Sequence, residues 1–250
     1  MKPTKRKELI IAVFGLIGFW WLLSLIVDQD ILPNPPEVAV ALFQELINGS
    51  LITDFSYSLF RVTTGTLIAV LIATPIGLLA GQFKFFDRIV SPITNILFPI
   101  PKVVFIPLIF LFTGIGEVSK ILIIVIILFF QILVLVKDSA YEIRPELISS
   151  VRSLGAGRRG LLWFVYLPAC LPPIFTAIRQ SIGTSVAVLY FSELFATTHG
   201  LGYFIYMQGS TLFNYPAMYA GIIAMSLLGI GLSSFVNYLE RIICPWKFEA

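Results

Sequence analysis

Charge, histidine and cysteine are scarce in this chain, and each scarcity removes a class of function. Asp, Glu, Lys and Arg make up 12% of the 250 residues, against about 25% in ordinary soluble domains. With 58% hydrophobic residues, a soluble fold would expose broad apolar patches, which leaves a polytopic membrane protein. The net charge of +3 is too small for a nucleic-acid partner, and the cations are scattered between apolar runs. One histidine, His199, cannot supply a zinc site and has no Cys or Asp cluster beside it, so a loop residue is expected and a metal is not. The two cysteines, Cys170 and Cys244, form no ligand spacing and read as packing residues. The phosphate-binding pattern G-x-x-x-x-G-K-[ST] is absent, because GIGEVSK and GAGRRG both fail it, so the chain has no P-loop route to ATP hydrolysis. No nucleophile elbow or zinc-protease motif occurs either, and membrane-embedded catalysis lacks its clustered acids and histidines.

What the chain has is long apolar runs. Spans are expected near residues 9–27, 58–80, 88–113, 118–136, 171–195 and 216–238. Each offers the roughly 20 apolar residues that a bilayer core requires. Helices are the expected state, since lipid leaves no partner for an open backbone and the runs are too continuous for barrel strands. The N-terminus begins like a signal peptide, but the apolar run continues through Trp20, Trp21 and Val27 without a small-residue cleavage site. A retained first span is expected. Trp20, Trp21, Trp163 and Trp246 lie near span ends, where amphipathic rings favour the interface.

Orientation follows from the basic residues. Lys2, Lys5, Arg6 and Lys7 precede the first span, and Lys84 and Arg88 flank a short turn. Lys137, Arg144, Arg152, Arg158 and Arg159 fill a long insert, and Arg241 and Lys247 lie in the tail. Segments 28–57 and 191–216 hold no Lys or Arg. The positive-inside rule therefore places both termini and the insert in the cytoplasm, with Lys120 alone blurring the pattern on the outer side.

Local signals refine this scheme. After the first span, ILPNPPEVAVALFQELING reads as a proline-rich turn and a short amphipathic helix beginning at Glu37. Its expected apolar stripe is Val38, Leu42, Leu46 and Ile47, lying on the outer membrane surface. The third span carries Pro92, Pro99, Pro101 and Pro107 and must kink or break. Pro168, Pro172 and Pro173 mark the entry to the fifth span. The insert, 142–164, reads as two short helices joined at GAGRRG, with Gly155 and Gly157 ending the first. A glycine there also leaves a notch that a partner surface can enter, although a plain helical hairpin fits the spacing equally.

Within the insert, Gly155 is followed by Val165-Tyr166-Leu167-Pro168 in the spacing G-x9-[IV]-x-L-P. This resembles the loop by which permease subunits of bacterial ABC importers dock their ATPase. Motifs along nearly the whole chain resemble the nitrate, sulfonate and taurine branch of that family. They are LPNPPEV, Ser58-Leu59-Phe60-Arg61-Val62 with Gly65, PKVVFIPLIFLFTGIGEVSKI, Ser192-Glu193-Leu194, Gly200-Leu201-Gly202-Tyr203, and Leu239-Glu240-Arg241 with Pro245-Trp246. At the front of the docking motif, Ser149, Ser150 and Val151 stand where the family usually shows Glu-Ala-Ala.

The resemblance implies an all-α membrane protein of the type I ABC importer kind, with six transmembrane helices and a cytoplasmic coupling-helix loop. Residues 1–57 would form a first span with an outer amphipathic segment, and 58–250 the core transporter domain. The coupling loop would comprise Ser149, Ser150, Val151, Leu154, Gly155, Ala156 and Gly157. The implied partners are cytoplasmic ATPase subunits, an extracytoplasmic solute-binding protein, a second permease copy and membrane lipid. ATP and magnesium would belong to the ATPase, with no cofactor on this chain. The setting would be a prokaryotic inner membrane.

Candidate path residues come from polar groups at membrane depth, where a charge normally faces a water-filled route or a partner. Lys102 and Arg179 are such cations, and Gln180, Ser181, Thr184 and Ser185 lie at helical spacing beside Arg179. Arg61 and Glu193 are expected near the outer ends of their helices, as a gate or as ordering contacts. Lys102 has a structural alternative, the capping of carbonyls at a helix break. Glu193 is the one acid expected at a span core, which disfavours an ion-coupled secondary transporter. The two cations lean toward an anionic substrate such as a sulfonate, taurine or nitrate; a neutral or cationic heteroaromatic vitamin precursor is the alternative.

Overall fold

Backbone groups in apolar runs of this length are satisfied by helical hydrogen bonds, and every regular element among the described residues is helical. The computed structural model describes residues 6–194 and 197–248. The main elements are α1 (Arg6–Val27), α2 (Pro35–Ile47), α3 (Leu51–Gln82), α4 (Lys84–Leu97), α5 (Ile106–Thr113) and α6 (Glu117–Tyr141). They continue as α7 (Pro145–Ser153), α8 (Arg158–Leu161), α9 (Leu167–Leu194), α10 (Leu201–Tyr206) and α11 (Tyr215–Ile243). A 3₁₀ turn, Lys102–Phe105, precedes α5, and π turns at Leu162–Tyr166 and Met207–Thr211 adjoin α9 and α10. Among the described residues, five helical stretches are long and apolar enough to cross a membrane, and a sixth arises when α4 and the 102–113 segment count as one span bent by 83°.

The chain divides into two units. One takes the chain up to Tyr57 together with Thr198–Ser226. Within it, Asn34 and Glu37 close a capping box at the start of α2: Glu37 N–H donates to Asn34 Oδ1 at 3.0 Å, and Asn34 N–H to Glu37 Oε2 at 3.2 Å. Val38 is buried and Leu42 half-buried, whereas Leu46 and Ile47 are exposed with Val40 and Phe43. The expected stripe is thus split between two faces. Asp54 is buried and accepts from Ser50 Oγ at 2.6 Å and from the Gly200 N–H at 2.8 Å. His199 lies in the loop before α10, stacked on Tyr57, with Nδ1 3.8 Å from Asp54 Oδ1.

The other unit runs from Ser58 to Thr197 and from Leu227 onward. Its centre is α6, whose Ile123, Ile124, Leu128 and Ile132 are fully buried and which packs along α9. The rest of α3 lies close against α6 because three glycines face it. A Cβ at Gly65 would stand 2.7 Å from Ile124 Cγ2, one at Gly77 2.9 Å from Val136, and one at Gly81 2.9 Å from the Lys137 carbonyl.

Several boundaries differ from those expected. α3 begins at Leu51 rather than Ser58, because Asp54 finds buried partners and does not interrupt the helix. Arg61 consequently lies roughly 15 Å into α3 rather than near its end. The third span starts at Lys84 rather than Arg88 and does break. The fifth runs from Arg158 to Leu194 as one span, with Pro172 and Pro173 inside α9 rather than at its entry. A π turn stands where Pro168 cannot donate, and Leu167 N–H reaches back to Leu162 O. The expected end at Phe195 and the lysines at positions 2 and 5 lie outside the described residues.

Candidate functional site: an exposed loop and two polar clusters

The insert folds as the sequence suggests. Pro145 occupies the first turn of α7, where its missing N–H costs nothing. The helix ends at Ser153, and Gly155 follows with φ +86°, a left-handed angle that glycine takes without a Cβ clash. Gly155 N–H donates to Arg152 O at 3.0 Å, and Ala156 N–H to Val151 O at 3.4 Å. α8 then starts after Gly157. Ser149, Ser150, Gly155 and Gly157 are exposed, Val151 and Ala156 half-buried, and Leu154 is 85% exposed at the tip. Beside the loop, Arg158 stacks its guanidinium over Phe83 at 5.9 Å, tying α8 to the α3–α4 turn.

A buried ionic cluster joins α3, α6 and α9. Arg61 Nε and Nη2 donate to the two Glu117 oxygens at 2.7 and 2.6 Å, a bidentate pair. Its Nη1 donates to Glu193 Oε1 at 2.7 Å, and Ser58 Oγ donates to the same carboxylate at 2.8 Å. Lys120 is buried with Nζ 3.8 Å from Glu117 Oε1. Lys120 is therefore part of the helix interior and carries no orientation signal. Sequence reading brought out Arg61 and Glu193 but missed Glu117; its place in the GIGEVSK motif, one residue before an apolar run, was the available signal. Glu240, at 2% exposure near the end of α11, also corrects the expectation that Glu193 stands alone as an acid within a span.

The candidate path residues are not gathered together. Lys102 Nζ donates to the carbonyls of Leu97, Phe98 and Ile100 at 3.0, 2.9 and 3.3 Å, capping the end of α4 at the bend. Arg179 donates to Asn237 Oδ1, to Glu240 Oε2 at 3.1 Å and to Thr176 Oγ1 at 3.2 Å. Lys247 closes on the other Glu240 oxygen, so α9, α11 and the tail share one carboxylate. Gln180 lies on an exposed stripe of α9 with Gly183 and Ala187, and half-buried Thr184 borders it. Ser185 is buried and donates to Ile182 O, and among the described residues buried Ser181 has no partner for its Oγ. Among the described residues, no group of three or more His, Cys, Asp or Glu could hold a metal ion.

Comparison with known proteins agrees with this architecture. Residues 73–243 match the family described as binding-protein-dependent transport system inner membrane component. The taurine transport system permease protein TauC of Escherichia coli is 30% identical over 94% of this chain and 87% of its own. The putative aliphatic sulfonates transport permease protein SsuC of Bacillus subtilis is 30% identical over 99% of this chain and 88% of its own. Among solved structures, the inward-facing MetNI methionine ABC transporter superposes with a TM-score of 0.68 at 21% identity, covering 80% of this chain and 98% of the matched chain. The chain belongs to the binding-protein-dependent transport system inner membrane component family: it is a multi-pass permease subunit of an ABC importer, and the ATPase of such importers is a separate subunit.

Proposed function

We propose that this permease imports a small solute with an anionic group, such as a sulfonate, taurine or nitrate, delivered by an extracytoplasmic binding protein and driven by ATPases that grip the α7–α8 loop. Two copies would form the pathway, with both termini and the loop in the cytoplasm of a prokaryote. Residues 1–57 would stand outside the core transporter domain of 58–250. The observation that carries the coupling role is the loop tip: an apolar Leu154 left 85% exposed beside a left-handed glycine. Apolar side chains at such tips stay exposed when a partner surface covers them. Ser149 and Ser150 present small exposed side chains on α7, which permits close approach despite the missing acid. The substrate class rests on the taurine and sulfonate relatives.

Placing a long charged side chain in the notch tests the coupling role. Gly155→Arg should abolish uptake of radiolabelled taurine and co-purification of the ATPase, while the permease accumulates normally. Normal uptake with a retained ATPase would overturn the loop's role. The substrate class fails if the intact importer with its binding protein takes up no sulfonate. A neutral or cationic heteroaromatic precursor is the second reading; it draws support from Lys102 and Arg179 both being engaged by protein groups.

A further inference from the structure

Three kinds of surface run along α2. Val38 is fully buried and Leu42 half-buried, so one sector packs into the helix's own unit. Glu37, Ala41, Gln44 and Glu45 line a groove beside Asn214 and Ala217, around the start of α11, and make a second, polar sector. The third consists of Pro36, Ala39, Phe43, Leu46 and Ile47. All five are exposed, Phe43 at 65% and Ile47 at 62%. At about 100° per residue they share one sector, roughly 100° wide, that holds no polar side chain. The open apolar face of α2 is therefore not the expected stripe, half of which is taken up by packing.

The membrane lies close to this face. Residues 10–27 of α1 are long and apolar enough to cross a bilayer, and only 6% of that stretch is buried within the protein, so α1 turns most of its surface to lipid. It ends at Asp28, whose φ of 44° is one that aspartate tolerates, and residues 28–30 are exposed. Asp28 and Asp30 mark the level at which the chain leaves hydrocarbon, where carboxylates are rare. From Asp30 to Pro35 the chain can extend at most about 18 Å. α2 thus starts within reach of the lipid headgroups.

A folded partner fits this face poorly. The 13 residues of α2 make a strip about 20 Å long and about 10 Å wide. That is on the order of 200 Å², against roughly 800 Å² per partner in a stable interface. The charge pattern narrows the choice further. Helices that lie on membranes commonly carry Lys and Arg for anionic headgroups. Segment 28–57 carries none, and α2 itself bears only Glu37 and Glu45.

We propose that Pro36, Ala39, Phe43, Leu46 and Ile47 seat α2 at the boundary of headgroups and acyl chains in the leaflet where α1 ends, as an anchor held by apolar burial in zwitterionic lipid. Seating on this sector leaves Glu37 and Gln44, on another side of the helix, turned to water. It also fixes the height of the groove they line above the bilayer. The seat depends neither on the transported solute nor on the direction in which the chain crosses the membrane.

The test uses the full-length permease with its ATPase in phosphatidylcholine nanodiscs, without a binding protein. Nitroxides on cysteines introduced one at a time report collisions with oxygen, which concentrates in lipid, and with a water-soluble nickel chelate. Phe43→Cys, Leu46→Cys and Ile47→Cys should give an oxygen-to-nickel ratio severalfold above that of Gln44→Cys and Asn48→Cys on the polar side. Adding phosphatidylglycerol should leave the ratios unchanged. Equal ratios at all five positions would put the face in water and sink the proposal. Low collision rates with both reagents at positions 43, 46 and 47 would mean that a protein surface covers the face, and would refute the lipid seat. A ratio that climbs with phosphatidylglycerol would make the seat electrostatic and refute its apolar basis. If Phe43→Cys accumulates poorly, Leu46→Cys and Ile47→Cys read the same face independently. Taurine uptake is measured apart. Its failure defeats the substrate reading and leaves the collision pattern standing, whereas equal ratios in a transporting permease defeat the seat alone.

Discussion

Three carbonyl oxygens, those of Leu97, Phe98 and Ile100, lie at the break between α4 and α5, and Lys102 supplies one ammonium to all of them. Carbonyls at a helix break have no intrahelical donor, so the lysine satisfies groups that the helix itself leaves open. Its Nζ also sits 5.0 Å from the Phe130 ring on α6. Lys102→Met should therefore act on the fold before it acts on transport. The expected loss is about 1–3 kcal/mol for the stranded acceptors, read as a lower unfolding midpoint and reduced yield, whatever substrate is present. A variant of wild-type stability with impaired anion uptake would return Lys102 to the pathway. The role of Lys102 was legible in the sequence as one of two alternatives, the capping of carbonyls at a helix break, because its partners lie within five residues of it in a proline-rich stretch. Arg179 bonds Glu240 from 61 residues away, and only folding brings that pair together.

At the scale of elements, α3 and α6 show what apolar periodicity conveys and what it leaves out. The composition of each run announced a helix, yet α3 starts at Leu51 rather than at the expected Ser58, because Asp54 is bonded inside the fold. Its acceptors are filled by Ser50 and by the Gly200 N–H, the latter 146 residues distant. Short α10 was missed because six residues are too few to show a period. The insert was legible because glycine and proline there act locally. The spacing between α3 and α6 depends on Gly65, Gly77 and Gly81, since in lipid close backbone approach replaces the hydrophobic drive. Gly77→Leu should force the helices apart against Val136 and destabilise the permease by about 1–3 kcal/mol, as overpacking commonly does. Differential scanning of the purified protein would show it; a midpoint equal to wild type would mean the two helices are not held at this distance.

For the whole molecule, we propose a single orientation from the distribution of cations. Segments 28–57 and 191–216 carry no Lys or Arg, and the α7–α8 loop carries Arg152, Arg158 and Arg159. Cysteines introduced as Asn48→Cys and Arg158→Cys should behave oppositely toward an impermeant maleimide added outside cells, the first labelled and the second silent until the membrane is opened. Labelling of position 158 from outside would reverse the topology. The burial of Lys120 removes the one basic residue that stood against this scheme.

The same experiment depends on a quiet background, which the chain provides by itself. Cys170 and Cys244 are its only thiols, and both are fully buried. Burial, and next the Glu240 carboxylate, push the Cys244 thiol above its ordinary range, so it remains protonated and poorly nucleophilic at neutral pH. Toward thiol-directed labels the chain is thus already silent. A spin label attached at Leu154 would be the only such label in the chain, and its mobility could be followed through an ATP cycle without first stripping the protein of its own cysteines.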